Sequence, residues 1–188
     1  MGKNPNPQGK GGSLVLNTLS EQRARLAAVP AKHVEQVSTE LFTSLFVLES
    51  EFRFQPVPGK PYYLYCKVGV YRLSINPPSM WSEDIAGRFI GECELQPDMT
   101  WTLALADDMA DDPAFMDELQ RKRDAFEQRL DGADSMDEVL PVHEKRLGFY
   151  RRASAFALAH SLGRSMQQSG ILELSYAEAQ GRLKHDGE

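Results

Sequence analysis

Histidine and cysteine are scarce in this chain, four and two among 188 residues. There is no Cys-x-x-Cys pair and no histidine at zinc-ligand spacing from either thiol, so neither a redox motif nor a structural metal site is indicated. His143-Glu144 opens like the zinc-hydrolase helix motif, but Leu147 stands where the second histidine must be. Also missing are a Gly-x-Ser-x-Gly elbow, a P-loop and a Gly-x-Gly-x-x-Gly turn, the usual marks of serine hydrolases, NTPases and dinucleotide enzymes. Long apolar runs are absent too. Residues 1–13 have no hydrophobic segment, and Ala153 to Gly163 is too short and too polar to span a bilayer. A net charge of −6 argues against nucleic-acid binding by the chain as a whole. The expected setting is the cytoplasm, with no cofactor and no membrane.

What the chain does contain suffices for one core. It is 41% hydrophobic and 26% charged, an ordinary globular balance, and long enough to fold without disulfides or metals. Residues 1–13 have almost nothing to bury and read as a flexible tail. A helix-plus-sheet unit follows at 14–106, then a helical region at 107–188 packed on the same domain. Residues 107–138 carry twelve acids and four bases, and 143–164 carry five bases and one acid. Those two stretches are expected to pair across two antiparallel helices.

A short helix is expected at 20–28. From Ala31 to Phe54 the apolar residues Val34, Val37, Leu41, Phe42, Leu45, Phe46, Leu48 and Phe52 have helical spacing, with Pro30 at the first turn and Pro56 and Pro58 as the stop. Tyr62–Lys67 and Val70–Asn76 alternate around Val68-Gly69, which predicts a hairpin. Its inward residues are Leu64, Cys66, Tyr71, Leu73 and Ile75, and Tyr63 and Tyr65 fall on the other face. Asn76-Pro77-Pro78 ends the ladder, and Ser79–Gly87 reads as a turn that tucks in Trp81. A second hairpin joins Arg88–Leu95 to Thr100–Leu105 through a type I turn at Gln96-Pro97-Asp98-Met99. Phe89, Gly91, Cys93 and Leu95 should share one face of its first strand, and Trp101, Leu103 and Leu105 one face of its second. Gly91 in mid-strand marks a bulge or a close approach. Asp112-Pro113 caps a helix of about five turns. Ser135 and Glu138 open a long helical pattern to Ser169, with Pro141 as a kink or the true start and Gly170 as the stop. Its small residues Ala153, Ser154, Ala157, Ser161 and Ser165 permit close helix contact. Ser175 and Glu178 box a last short helix.

The motifs Tyr62-Tyr63-Leu64-Tyr65, Gly69, Pro78 to Trp81, Phe89 to Leu95 and Asp98 to Trp101 occur in the order found in a bacterial and eukaryotic family. Over roughly residues 31–105 the chain resembles the family catalogued as domain of unknown function 2452. One departure is Ser82, where that family commonly has glycine after the corner tryptophan. The resemblance implies a helix followed by two hairpins and carries no catalytic residue across.

Candidate chemistry is thin. Asp107, Asp108 and Asp111 resemble an aspartate-rich magnesium motif, but a second acidic motif is missing, so a solvated capping loop is favoured and a weak divalent-ion site is the alternative. His160, on the small-residue helix, is the histidine expected to be buried. The aromatics Tyr63, Tyr65, Trp81 and Trp101 form a candidate binding surface, the tyrosine face being either covered by a helix or open. Lys145, Arg146, Arg151 and Arg152 read as a solvated helix face.

The fold expected is α+β: the helix 31–54 on a small, twisted, mainly antiparallel sheet of about four strands, followed by a helical hairpin over 113–169. The breadth of the apolar stripe on 31–54 suggests a homodimer through that helix. The function expected is a non-enzymatic protein–protein interaction module with an unidentified protein partner. The alternative is a small-molecule-binding protein or enzyme with a pocket near Trp81, Trp101 and the 107–112 loop.

Overall fold

The computed structural model describes residues 29–142 and 145–185; the tail at 1–13 and the helix expected at 20–28 lie outside them. The fold is α+β, a four-stranded antiparallel sheet with a C-terminal helical pair. In chain order the elements are α1 (Val34–Glu49), β1 (Pro61–Lys67), β2 (Val70–Ser74), a 3₁₀ turn (Pro78–Met80), α2 (Glu83–Ala86), β3 (Arg88–Leu95), β4 (Trp101–Leu105), α3 (Asp107–Ala110), α4 (Pro113–Asp131), α5 (Phe149–Ser169) and α6 (Tyr176–His185). The sheet order is β2-β1-β3-β4. Each hairpin is local, and the β2–β3 connection crosses β1.

α1 starts later than its stripe suggests, because Pro30 to His33 run extended into it: His33 is the N-cap, and Pro30 lies outside the first turn. Its apolar stripe, Val34, Val37, Leu41, Phe46, Val47 and Leu48, is buried between the sheet and α5. One side-chain cluster joins it to Leu64, Leu95 and Trp101 of the sheet and to Phe126, Leu130, Leu158 and Leu162 of the helical region, so both halves share a core. Ser44, a polar residue in that buried stripe, accepts a hydrogen bond from the backbone N–H of Trp101 at 2.9 Å and so satisfies a donor on the edge strand β4. At the opposite edge Glu51 pairs with β2 through Tyr71 O and Leu73 N. Most of the stripe of α1 is therefore covered within one copy of the chain, with Phe42 and Leu45 half-buried. A homodimer through helix 31–54 loses its motive.

Two features of the sheet depart from simple alternation. Pairing runs Leu64 with Gly91 and then Tyr65 with Phe89, leaving Ile90 as an extra residue on β3. The bulge transfers Phe89 from the expected face with Cys93 and Leu95 to the tyrosine face, where its ring lies 5.6 Å from Tyr65 and 6.3 Å from Tyr63. Gly91 is required beside it, because a Cβ there would stand 2.3 Å from the carbonyl oxygen of Ala104. The close approach comes from the β4 backbone. Ile75 lies past the end of β2 and is exposed rather than inward.

The β1–β2 turn has Val68 at φ 51° and Gly69 at φ 75°. Two consecutive left-handed residues match the right-handed strand twist, but a β-branched residue is strained there. Val68 is 95% exposed and contributes no packing in return. Val68→Asn should stabilise the protein by about 1 kcal/mol, seen as a higher urea midpoint at unchanged slope; an equal or lower midpoint would refute the strain.

The C-terminal half is more broken than its helical pattern. Residues 134–142 form turns, and Met136 and Asp137 donate backbone hydrogen bonds to Leu174 and Leu172. Ser135 and Glu138 therefore open a turn rather than a helix, and α5 begins only after Gly148. Asp112 caps α4 by accepting from Ala114 and Phe115 N–H, Gly170 ends α5 at φ 69°, and Ser175 and Glu178 box α6 as expected. The small-residue face of α5 seats the chain entering α1: Ser165 donates to Pro30 O and Ser169 to Lys32 O, each at 2.7 Å. Among the described residues no ion pair joins 107–138 to 145–164. The α4 bases Lys122 and Arg123 pair instead with Glu49 and with Glu127.

Candidate interaction surface

The tyrosine face is covered, though only one helical turn, α2, takes part in the cover. The β2–β3 crossover lies over it, pinned by the Tyr65 hydroxyl donating to Asn76 O at 2.9 Å and by the Lys67 ammonium donating to Asp84 O at 2.6 Å. Tyr65 is buried and Tyr63 half-buried, and burial raises the Tyr65 phenol above its ordinary value. Trp101 points the other way into the core, 1% exposed and edge-on to Tyr62 at 5.7 Å. Tyr65 and Trp101 are thus core residues and cannot belong to a binding surface.

Trp81, by contrast, is not tucked in. It is 36% exposed on the crossover, and Ile75, Met80 and Ile85 of the same segment are more exposed still. Ala86 and Gly87 are the buried residues of this connection. Short crossovers bury small residues against the sheet and leave larger ones outside, and here the outer ones are apolar. Exposed Glu83 and Asp84 lie between them. Four exposed large apolar residues on one short connection are a candidate contact surface.

The acidic run leads elsewhere. Asp107, Asp108 and Asp111 are exposed, while Asp112 is held by the Arg88 guanidinium. That ion pair, with the two cap N–H groups, keeps the Asp112 carboxyl below the usual carboxylate range. Arg88 also approaches Asp108, Nη2 lying 3.7 Å from Oδ2. Among the described residues no three His, Cys, Asp or Glu side chains gather as a metal cage, so the run works as a helix cap with an arginine clasp. Cys93 and Cys66 are free. Burial pushes the Cys93 thiol up to about 12 and raises that of Cys66. In both, burial favours the neutral thiol over the nucleophilic thiolate.

Two clefts lie on the far side of α1. One of about 560 Å³ is bordered by Leu45, Leu48, Arg129, Leu140, Leu147 and Ala155, the other of about 190 Å³ by Phe42, Phe46, Lys122 and Phe126. The larger has the volume of a small-molecule site. Neither is bordered by Trp81, Trp101 or the 107–112 loop.

Sequence reasoning missed two features. Lys32, which falls away from the apolar stripe of helix 31–54, is nevertheless buried, its ammonium bound to Glu40 and Asp98. Asp98 itself is fixed by hydrogen bonds from Thr100 N and Oγ1 at 3.2 and 2.7 Å; the Asp-x-Thr spacing was the available signal. The second is the solvent face of α5. His160 is not buried but exposed there, stacked parallel to Phe156. No helix among the described residues is long and apolar enough to cross a membrane. Set against family models, curated proteins and solved structures, the chain matches none.

Proposed function

We propose that this chain is a non-enzymatic cytoplasmic protein–protein interaction module that uses the β2–β3 crossover as its contact surface. The observation that carries the reading is the exposed apolar group Ile75, Met80, Trp81 and Ile85 on that connection. Exposed tryptophan and methionine side chains are of the types enriched at protein interfaces. Tyr63, half-buried on the face that the crossover covers, is the second residue assigned to the contact. The resemblance to the domain of unknown function 2452 family belongs to the same proposal; it covers this crossover and supplies no chemistry against it.

The test is affinity capture with the double variant Tyr63→Ala and Trp81→Ala. Loss of a tryptophan anchor should weaken partner binding at least about thirtyfold, while both positions are exposed enough to leave the thermal transition within a few degrees. An unchanged set of bound proteins sinks the proposal.

A further inference from the structure

The small-residue face of α5 carries serine at successive turns, Ser161, Ser165 and Ser169, and the three are not equally used. Ser169 Oγ donates to Lys32 O at 2.7 Å and accepts from Lys32 N at 3.2 Å. Ser165 Oγ donates to Pro30 O at 2.7 Å. The strap of chain entering α1 thus runs parallel to α5 and presents alternate carbonyls to successive turns. The two periods agree, since four residues of helix rise about 6.0 Å and two residues of extended chain cover about 6.6 Å. The hydroxyls are needed there. The helix uses its N–H groups internally, so the carbonyls of a strap lying on it would otherwise be left unpaired.

Ser161 breaks the pattern. It is 1% exposed, and its Oγ is buried with no hydrogen-bond partner among the described residues. Buried hydroxyls are ordinarily bonded, because an unmet one is costly. The described chain begins at Val29, itself buried. With 169 set against 32 and 165 against 30, the next rung sets 161 against 28.

We propose that the strap continues one rung further, with the carbonyl oxygen of Ala28 accepting a hydrogen bond from Ser161 Oγ. The occupant is the chain's own residue because the peptide bond to Val29 delivers that carbonyl to the next turn of α5 without any association step. A peptide from elsewhere would have to displace it. The position after Ser161 in the same line is Ala157, which has no hydroxyl, so the ladder ends there. At its other end the strap is anchored by the Lys32 ammonium between Glu40 and Asp98. Residues 28–32 therefore tie α5 to α1 and to the β3–β4 turn, and the small-residue stripe serves a strap of the same chain rather than a neighbouring helix.

Two measurements on the full chain test this. Ser161→Ala takes the donor from the Ala28 carbonyl and should raise the unfolded-to-folded ratio roughly tenfold, lowering the urea midpoint as Ser165→Ala does. A hydroxyl without an acceptor gives the opposite sign, since its removal relieves an unmet donor. The double variant Ala28→Cys, Ser161→Cys should close an intramolecular disulfide under mild oxidation, because a serine hydroxyl bonded to that carbonyl brings the two Cα atoms within the roughly 4.4–6.8 Å that a disulfide spans. Leu26→Cys with Ser161→Cys stands one rung out of register, about 6.6 Å further along, and should not. Peptide mapping separates the new bridge from the native thiols Cys66 and Cys93. A midpoint that rises or stays, no bridge from residue 28, or an equal bridge from residue 26 overturns the proposal. A bridge between two copies, read as a doubled mass, also overturns it by giving the stripe to a second chain. The crossover capture experiment is independent of all these outcomes.

Discussion

Lys32→Met should cost about 3 kcal/mol of stability at neutral pH, the largest effect expected from any polar substitution in the chain. The Lys32 side chain is 4% exposed, and its ammonium is shared between Glu40 of α1 and Asp98 of the β3–β4 turn, with 2.5 Å to Asp98. Methionine keeps the packing of the stem and deletes the charge. Two carboxylates are then left facing each other without a counter-ion. The figure sits at the low end for a broken buried pair because Glu40 and Asp98 are about one-fifth exposed, so water recovers part of the loss. The segment around Lys32 is also held by its own backbone, which exchanges hydrogen bonds with Ser169, and the substitution should not undock it.

The same cluster sets a pH dependence whose sign is fixed by both partners. For Asp98, burial opposes the charged form, but Lys32 and Thr100 outweigh it and hold the carboxyl below its ordinary 3.8. Its contribution is therefore present above that value and lost as pH falls through the lower folded one. For Lys32, burial is likewise outweighed by Asp98 and Glu40, and the ammonium is raised above 10.5. Its contribution is complete below 10.5 and lost as pH rises through the higher folded value. The gap between parent and Lys32→Met should be widest between these limits and narrow as pH falls below 3.8. Urea midpoints at neutral and acid pH measure it. A gap of the same size in acid would show that the loss is packing rather than charge.

The contrast between Lys32 and α1 shows what kind of information the sequence carried. The stripe from Val34 to Leu48 repeats at helical spacing, so the sequence itself records which side is buried. Lys32 is buried by residues 66 positions and 137 positions away, and no local period records that. The two hairpins were legible because each is closed by its own turn. Gly91 signalled the bulge beside it but not that Ile90 would be the extra residue, since that depends on how β3 meets β1 rather than on β3 alone, and it moves Phe89 to the opposite face. That displacement, with the hydroxyl of Tyr65 reaching Asn76, explains why the tyrosine face is covered. The pattern for α5 failed for a different reason. Helical spacing continues through Pro141 and Gly148, but the chain uses 134–142 to pair with 172–174 instead.

Trp101 is where the difference between a surface and a core aromatic becomes measurable. Trp101→Ala should cost about 4 kcal/mol, since the indole is 1% exposed and is packed edge-on to Tyr62, which in turn stacks on Phe54 at 5.3 Å. Removing it opens a void beneath α1 that the neighbouring rings cannot fill by rotation. Trp101→Phe should behave differently. The indole Nε1 is buried and has no acceptor among the described residues, so the native state already carries the cost of an unmade hydrogen bond, about 1–3 kcal/mol. Phenylalanine forfeits some contact area but removes that cost, and its net penalty should stay below about 1.5 kcal/mol. The backbone bond from Trp101 N to Ser44 is untouched by either change, so strand pairing at the edge persists and the comparison isolates the side chain. Chemical denaturation of the two variants decides the matter. If phenylalanine costs as much as alanine, the indole N–H has a hydrogen-bond partner in solution and the unmade-bond argument fails.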